Sequence, residues 1–466
     1  MGDSGRTRTK ERRTHPVRST PMASSAWTAR RLAKEKFVEG HGGSNVMEVV
    51  QIASLVPMDL WLGSLLLSRW ERRFGTACSL PRLLLEFTVM FVPTVLVYLN
   101  FVESGTMFYL HVTMVLMWMT LLPRSSKVDP RPNSKHDKCD CLSAYRAGMM
   151  VVSCIAILAV DFPSFPRKFV KAENYGYGLM DVGVGSFVLA TALVSRIGRG
   201  EKFKRRHILK STLTKSSILL VLGVGRTLVT RQIDYQLHVG EYGVHWNFFV
   251  TQAVLSFVPL VVGPWSDKAV PLGSLLLSGH QYWLMQSGGV LNTYIHSNAR
   301  AHSFIDMNKE GVYSLPGYMS LYLIGAGLAR MLQVTTMRWN LTKKHAQNLI
   351  LVTASLWLCF FQAERALEPA SRRTCNLTYV LWMLAFNFSM LLLFVFAIAA
   401  ARVSQIHLVL GVNKHLMSVF LVANVLTGIV NLTMDTLHAT GEVALVVVAL
   451  YAATFSLFGC FFPFSF

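Results

Sequence analysis

Charge is what this sequence has least of. Only 15% of its 466 residues are Asp, Glu, Lys or Arg, against about 25% in an average soluble protein. Acid is scarcer than base: 25 Asp and Glu face 45 Lys and Arg, a formal net charge of +20. So apolar a chain has too few polar residues to give a core a polar skin, which excludes a soluble globular domain and a disordered chain. The seven cysteines are scattered, and Cys154, Cys359 and Cys460 lie inside apolar runs. That excludes the disulfide framework of a small secreted scaffold. Cys139-Asp140-Cys141 offers two thiolates with no second pair of ligands nearby, so no metal is expected. Strand-like alternation is missing too, which leaves helices as the way to satisfy the backbone in lipid.

What is present is apolar length. Hydrophobic residues make up 52% of the chain, and they come in runs of about 16 to 25, the length of a membrane-crossing helix. Thirteen such runs centre near residues 57, 92, 114, 153, 187, 221, 255, 278, 326, 356, 387, 424 and 452. The expected fold class is therefore an all-α polytopic membrane protein with about 13 transmembrane helices. The weakest runs are those near 221, with Lys215 and Arg226, and near 278, with His280 and Gln281. No internal repeat relates the two halves, which argues against a transporter built on repeats.

The basic excess reads as topology, with no nucleic-acid partner implied. Loops after odd-numbered spans hold about 24 Lys and Arg, against about 9 after even-numbered ones. The richer set belongs in the cytoplasm, which puts the amino terminus in the lumen and the carboxyl terminus in the cytoplasm. Ten basic residues in the first 36 oppose this, but one tail weighs less than six pairs of loops. Residues 1–33 are Arg-, Thr- and Ser-rich and read as a disordered basic extension. They lack the apolar core of a signal peptide, and Arg6 stands where a myristoylation signal needs Ser or Thr. Residues 34–466 then form a single transmembrane domain.

The stretch between the fourth and fifth runs carries the chemistry. Asp161 ends an apolar helix, Pro163 and Pro166 force an extended turn, and Arg167, Lys168 and Lys171 follow. By loop parity this segment faces the lumen, where cations are disfavoured. A carboxylate held beside ammonium groups at low dielectric can be tuned as a base, and a lysine can orient it or stabilise an oxyanion.

The segment Ala159-Val160-Asp161-Phe162-Pro163-Ser164-Phe165-Pro166-Arg167-Lys168-Phe169, followed by Tyr175-Gly176-Tyr177-Gly178-Leu179-Met180-Asp181-Val182-Gly183-Val184-Gly185, resembles the glycosylphosphatidylinositol (GPI) inositol acyltransferases, the PIG-W family. Similar blocks follow in the same order: Glu241-Tyr242-Gly243-Val244-His245-Trp246-Asn247, Asn308-Lys309-Glu310-Gly311, and Asn431-Leu432-Thr433-Met434-Asp435-Thr436-Leu437-His438. The likeness starts at about Lys34. It departs at Val170, where the family has Ala, and in the leading 33 residues. It implies an endoplasmic-reticulum membrane acyltransferase. That enzyme moves a long-chain acyl group, expected to be palmitoyl, from acyl-CoA to the inositol 2-hydroxyl of glucosaminyl-phosphatidylinositol, with no tightly bound cofactor. It also places the catalytic pair on Asp161 and Lys171.

Other residues are candidates for substrate contacts. Arg167 and Lys168 lie between the two members of the pair. Asp181, Asp435 and His438 lie in or at the ends of apolar runs, where ionisable groups are functional or paired. His245 and Asn247 could line a headgroup pocket, and Asn308 and Lys309, in a long luminal loop, could bind the phosphoinositol head. Lys204, Arg205 and Arg206, with Lys202, form a cytoplasmic charge run, either topogenic or a dock for the CoA phosphates. Gly183 and Gly185 read as a close helix approach rather than a phosphate cradle. The sequons at Asn340, Asn376, Asn387 and Asn431 lie in or against spans or in the cytoplasm, so glycosylation is not expected. Two other readings compete. One is a membrane transporter of a lipid or small anionic solute; the other is a histidine-dependent O-acyltransferase with His438 as its base.

Overall fold

Apolar length becomes helix almost everywhere in the computed structural model, which describes residues 33–34, 36–37, 39–75, 77–121, 140–232, 240–337, 342–400 and 406–461. The helices are α1 (Val46–Phe74), α2 (Leu80–Tyr98), α3 (Ser104–Leu121), α4 (Cys141–Ala159), α5 (Val182–Leu193), α6 (Arg205–Gln232), α7 (Phe248–Leu255), α8 (Val258–Val262) and α9 (Ala269–His296). After them come α10 (Phe304–Met307), α11 (Lys309–Tyr313), α12 (Leu315–Met331), α13 (Val334–Met337), α14 (Lys343–Ala366), α15 (Leu377–Ala400), α16 (His407–Lys414), α17 (Leu416–Thr433) and α18 (Gly441–Phe461). Among the described residues, nine helical segments are long and apolar enough to cross a bilayer. Extended pairing among them is limited to isolated bridges from Gly43 and Ser44 to Tyr177.

Side chains placed by the sequence start these helices. Asn45 accepts from the Met47 amide, Asp140 from the Ser143 amide, and Thr342 from the His345 amide, each satisfying an orphan donor of a first turn. The expected run near 255 is broken: α7 and α8 are short and are joined to α9 by a 3-10 turn at Gly263–Lys268. Pro259 at the start of α8 and Pro264 in that turn cannot supply backbone donors to a continuous helix. The doubtful run near 278 is helical because its polar residues have partners. His280 lies against the Thr374 carbonyl at 2.9 Å, and Gln281 bridges Glu368 and the Leu377 amide. Within α9 the helix is interrupted at Gln286–Gly289, with positive φ at Ser287, Gly288 and Gly289.

α4 is the central helix, with 83% of its apolar window buried, against 22% for α6 and for α14. It packs against α15, α16, α17 and α18, while α1 lies on α2, α3 and α15, and α12 on α5 and α9. Hairpin connections bring alternate helix ends to one end of the bundle, termed proximal. There the Glu48 carboxylate joins the starts of α1 and α3 and the loop after α4, accepting from Ser104 at 3.1 Å and Lys168 at 2.7 Å. At the distal end Arg82 bridges Glu71 and Glu86, and Glu86 accepts from the Leu408 amide at 2.8 Å, fastening α1, α2 and α16.

The structure places the remaining motifs as follows. Asn308, Lys309 and Glu310 are fully buried in the short helices rather than in an open loop. Asp435 and His438 pair with each other at 2.9 Å on the exposed surface, because α17 ends at Thr433 and frees the chain from the bundle. Gly185 does meet a neighbouring helix, since a Cβ there would lie 2.4 Å from the Met383 sulfur on α15; Gly183 faces open space. Asn376, Asn387 and Asn431 are buried, while Asn340, Cys139 and residues 1–32 lie outside the described residues. Among the described residues no group of three or more His, Cys, Asp and Glu is arranged to hold a metal.

Candidate active site

The loop after α4 is fixed by its own arginine. Arg167 donates to the Val160, Phe162 and Phe165 carbonyls at 2.8–3.1 Å, closing the carbonyl end of α4, and lies over the Phe37 ring at 4.1 Å. Burial lowers its pKa to about 10, still charged at neutral pH. Phe165 and Phe169 are buried, and Phe165 meets the Tyr98 ring edge-on. The prolines, aromatics and arginine therefore hold Asp161 and Lys171 at the wall of one cavity.

That cavity, about 260 Å³, has two chemistries. Met149, Val152, Ser153, Ala156, Ile157 and Val160 on one face of α4 line its apolar reach, with Phe187, Phe248 and Phe420 opposite. From Met149 to Asp161 the helical rise covers about 18 Å. Its charged lining residues are Asp161, Lys171, Glu173, Arg226, Glu241 and Arg372, with Tyr242 next to Glu241.

Asp161 is 8% exposed. Its Oδ2 accepts from the Asn431 amide at 2.7 Å, and the Asn431 carbonyl oxygen accepts from Lys34 at 2.9 Å. Lys34 thus sets which face of the amide meets Asp161. Burial pushes the Asp161 carboxyl above the usual carboxylate range, and the Asn431 bond, then Lys34, Arg167 and Lys171, oppose that rise. A carboxylate displaced in this direction is a stronger base than a solvated one.

Lys171 joins a second chain of charges. Its ammonium meets Glu241 at 2.7 Å; Glu241 meets Arg372 at 3.3 Å; Arg372 meets Asp181 at 2.9 Å. Asp181 also accepts from the Ala172 and Gly178 amides, so the carboxylate fixes the backbone directly after Lys171. Asp181 and Arg372 are 1% and 4% exposed, a buried pair fully engaged in shaping the loop.

The remaining sequence candidates are held elsewhere. Lys168 pairs with Glu48 at the surface. Asn247 caps α7 and donates to the Gly223 carbonyl and Thr227 hydroxyl of α6. Asn308 accepts from the His245 and Trp246 amides, and His245 is half-buried beside it. The Lys309 ammonium donates to the Tyr294, Ser297 and Ala299 carbonyls and the Ser297 hydroxyl. Asp435 and His438 do not line the cavity. Lys204, Arg205 and Arg206 lie exposed at the distal start of α6, about 30 Å by helical rise from Arg226. Glu241, Arg372, Asn431 and Lys34 are the site residues that sequence reasoning did not select. Arg372 carried the same signal as Lys171, a cation in a loop whose parity disfavours cations.

Comparison with known proteins adds a family. Residues 30–462 match the family model described as GWT1. An uncharacterized protein of Arabidopsis thaliana is 40% identical over 316 residues, covering 68% of this chain and 71% of the relative. The GPI-anchored wall transfer protein 1 of Aspergillus oryzae is 32% identical, covering 90% and 95%. The phosphatidylinositol-glycan biosynthesis class W protein of Dictyostelium discoideum is 30% identical, covering 91% and 95%.

Proposed function

The chain belongs to the GWT1 family, and from that premise we propose that it is a membrane acyltransferase of GPI-anchor biosynthesis. It transfers a long-chain acyl group, palmitoyl in our reading, from acyl-CoA to the inositol 2-hydroxyl of glucosaminyl-phosphatidylinositol. The observation that carries the reading is the cavity itself. A raised-pKa carboxylate and a lysine stand at one end of an apolar trough about 18 Å long.

Asp161 takes the proton of the inositol hydroxyl as its oxygen attacks the thioester carbonyl. Lys171 stabilises the oxyanion, or orients Asp161, from its anchored position on Glu241. The C–S bond then breaks, and the proton held on Asp161 leaves with the CoA thiolate. The apolar walls keep water from the thioester. In this reading thirteen crossings place the proximal end and the amino terminus in the lumen of the endoplasmic reticulum, and the carboxyl terminus in the cytoplasm. The distal charges around Arg205 then face the side where acyl-CoA is made.

Microsomes containing the protein, supplied with glucosaminyl-phosphatidylinositol and labelled palmitoyl-CoA, provide the test. Label should appear on inositol with the unaltered chain and vanish with Asp161→Ala or Lys171→Ala at equal protein level. Normal turnover by the double variant would remove the pair from the reaction.

A further inference from the structure

Among the polar groups of the cavity that the mechanism leaves unused are Arg226 and Tyr242. Arg226 interrupts the apolar stretch of α6, about 9 Å of helical rise before its end. Arg226 is exposed overall but is one of the residues lining the cavity, and among the described residues its guanidinium makes neither an ion pair nor a hydrogen bond. Tyr242, 8% exposed, lines the same cavity, and its hydroxyl has no hydrogen-bond partner among the described residues. Arg226 and Tyr242 thus share the wall of one cavity.

The absence at Tyr242 is costly, whereas exposed Arg226 leaves a charge without an ion partner at the cavity wall. A buried hydroxyl without a partner loses its hydration, and an arginine in an apolar helix normally pairs or faces a functional cavity. The neighbouring charges do not relieve them. Glu241 is already shared by Lys171 and Arg372, Glu173 is near Arg373, and Asp181 is bound by Arg372. Among the described residues Arg226 is therefore a cation without an ion partner, lining the same cavity as a neutral O–H donor, a combination that suits a phosphate oxyanion.

We propose that Arg226 and Tyr242 bind the phosphodiester of an inositol phospholipid, holding the acceptor's headgroup in the cavity. The inference rests on the acyl-transfer reading for its choice of lipid, and stereochemistry supports that choice. The phosphate of a phosphatidylinositol is carried on the ring carbon next to the 2-hydroxyl, so fixing the phosphate limits where that hydroxyl can point. Asp161 and Lys171 line the same cavity. The phosphates of CoA are the other source of the same chemistry, and the distal run at Lys204–Arg206 is an alternative place for them.

The test reads binding without turnover. The purified full-length chain in neutral detergent is titrated with dioctanoyl phosphatidylinositol, dioctanoylglycerol and CoA. Arg226→Gln and Tyr242→Phe should each weaken phosphatidylinositol binding about tenfold or more, leaving dioctanoylglycerol and CoA binding unchanged. Arg226→Lys should recover part of the loss, and Arg365→Gln, an exposed arginine outside the cavity, should change nothing. Tyr242→Phe removes one oxygen atom, so it keeps the test sound should the arginine variant fold poorly. Unchanged phosphatidylinositol affinity in both variants would overturn the proposal and leave Arg226 a snorkelling side chain. Weakened CoA binding with phosphatidylinositol intact would overturn it in favour of the donor. Loss of phosphatidylinositol binding in a chain that transfers no acyl group would uphold this site while rejecting the reaction.

Discussion

The Asn431 amide donates to the Asp161 carboxylate at 2.7 Å, joining the end of α17 to the end of α4 across 270 residues of sequence. Because Lys34 donates to the other side of the same amide, Asn431 has one productive orientation. It positions Asp161 without touching the reacting atoms.

Asn431→Ala should therefore act through Asp161. The bond favours the charged carboxylate, so its loss raises the Asp161 pKa further. The acidic limb of the kcat/KM pH profile should move to higher pH, with activity at pH 7 down about tenfold. Lys34→Met should move the limb the same way by less. A profile unchanged in position, with only the amplitude lowered, would mean a purely structural role.

Asp161 should also be a stability liability at the pH where it works. Burial raises its pKa on folding, so its stabilising contribution is complete below the usual carboxylate range and is lost as pH rises through the folded value. Asp161→Asn removes that dependence. Thermal melts should show the variant more stable than the parent at pH 7 to 8, with the difference closing towards pH 4. The opposite trend would show that the surrounding cations over-compensate burial.

Arg372→Ala leaves Asp181 buried without its guanidinium and takes one cation away from Glu241. Breaking a buried pair from one side costs about 3–5 kcal/mol, which should appear as a marked fall in Tm. Arg372→Met combined with Asp181→Asn should recover part of that fall. It should not recover activity, since the backbone after Lys171 is held by the Asp181 carboxylate.

Two glycines two residues apart, on different faces of α5, should separate packing from catalysis. A methyl at Gly185 would press on Met383, so Gly185→Ala should cost about 1–3 kcal/mol in a melt. Gly183 lines the cavity and has open space. Gly183→Leu should leave Tm nearly unchanged while filling the trough and suppressing acyl transfer. Equal melting losses in both would contradict this division.

The helices were legible because apolar length is a property of contiguous sequence: all thirteen run centres fall in helical segments. The breaks on either side of α8 were less so, since Pro259 and Pro264 sit inside an apolar run. Asp161 and Lys171 share one loop, and a carboxylate among misplaced cations is visible in a charge count. Glu241, Arg372, Asn431 and Lys34 come from four other segments of the chain, and no spacing rule links them to Asp161. Lys309 shows the converse. It looks like a phosphate ligand, but its ammonium already has four oxygen partners at 2.7–2.9 Å, which only folding reveals.

The cavity's two chemistries bear on how the protein can be handled. A detergent with one alkyl tail and a hydroxylated or charged head offers the same pairing of apolar and polar surface as the walls between Met149 and Lys171. Solubilisation thus introduces a competitor at millimolar concentration. Affinities for either substrate will depend on tail length and on the amount of detergent carried through purification. Nanodiscs whose lipids have two chains, too broad for a single trough, should give tighter apparent binding than micelles do.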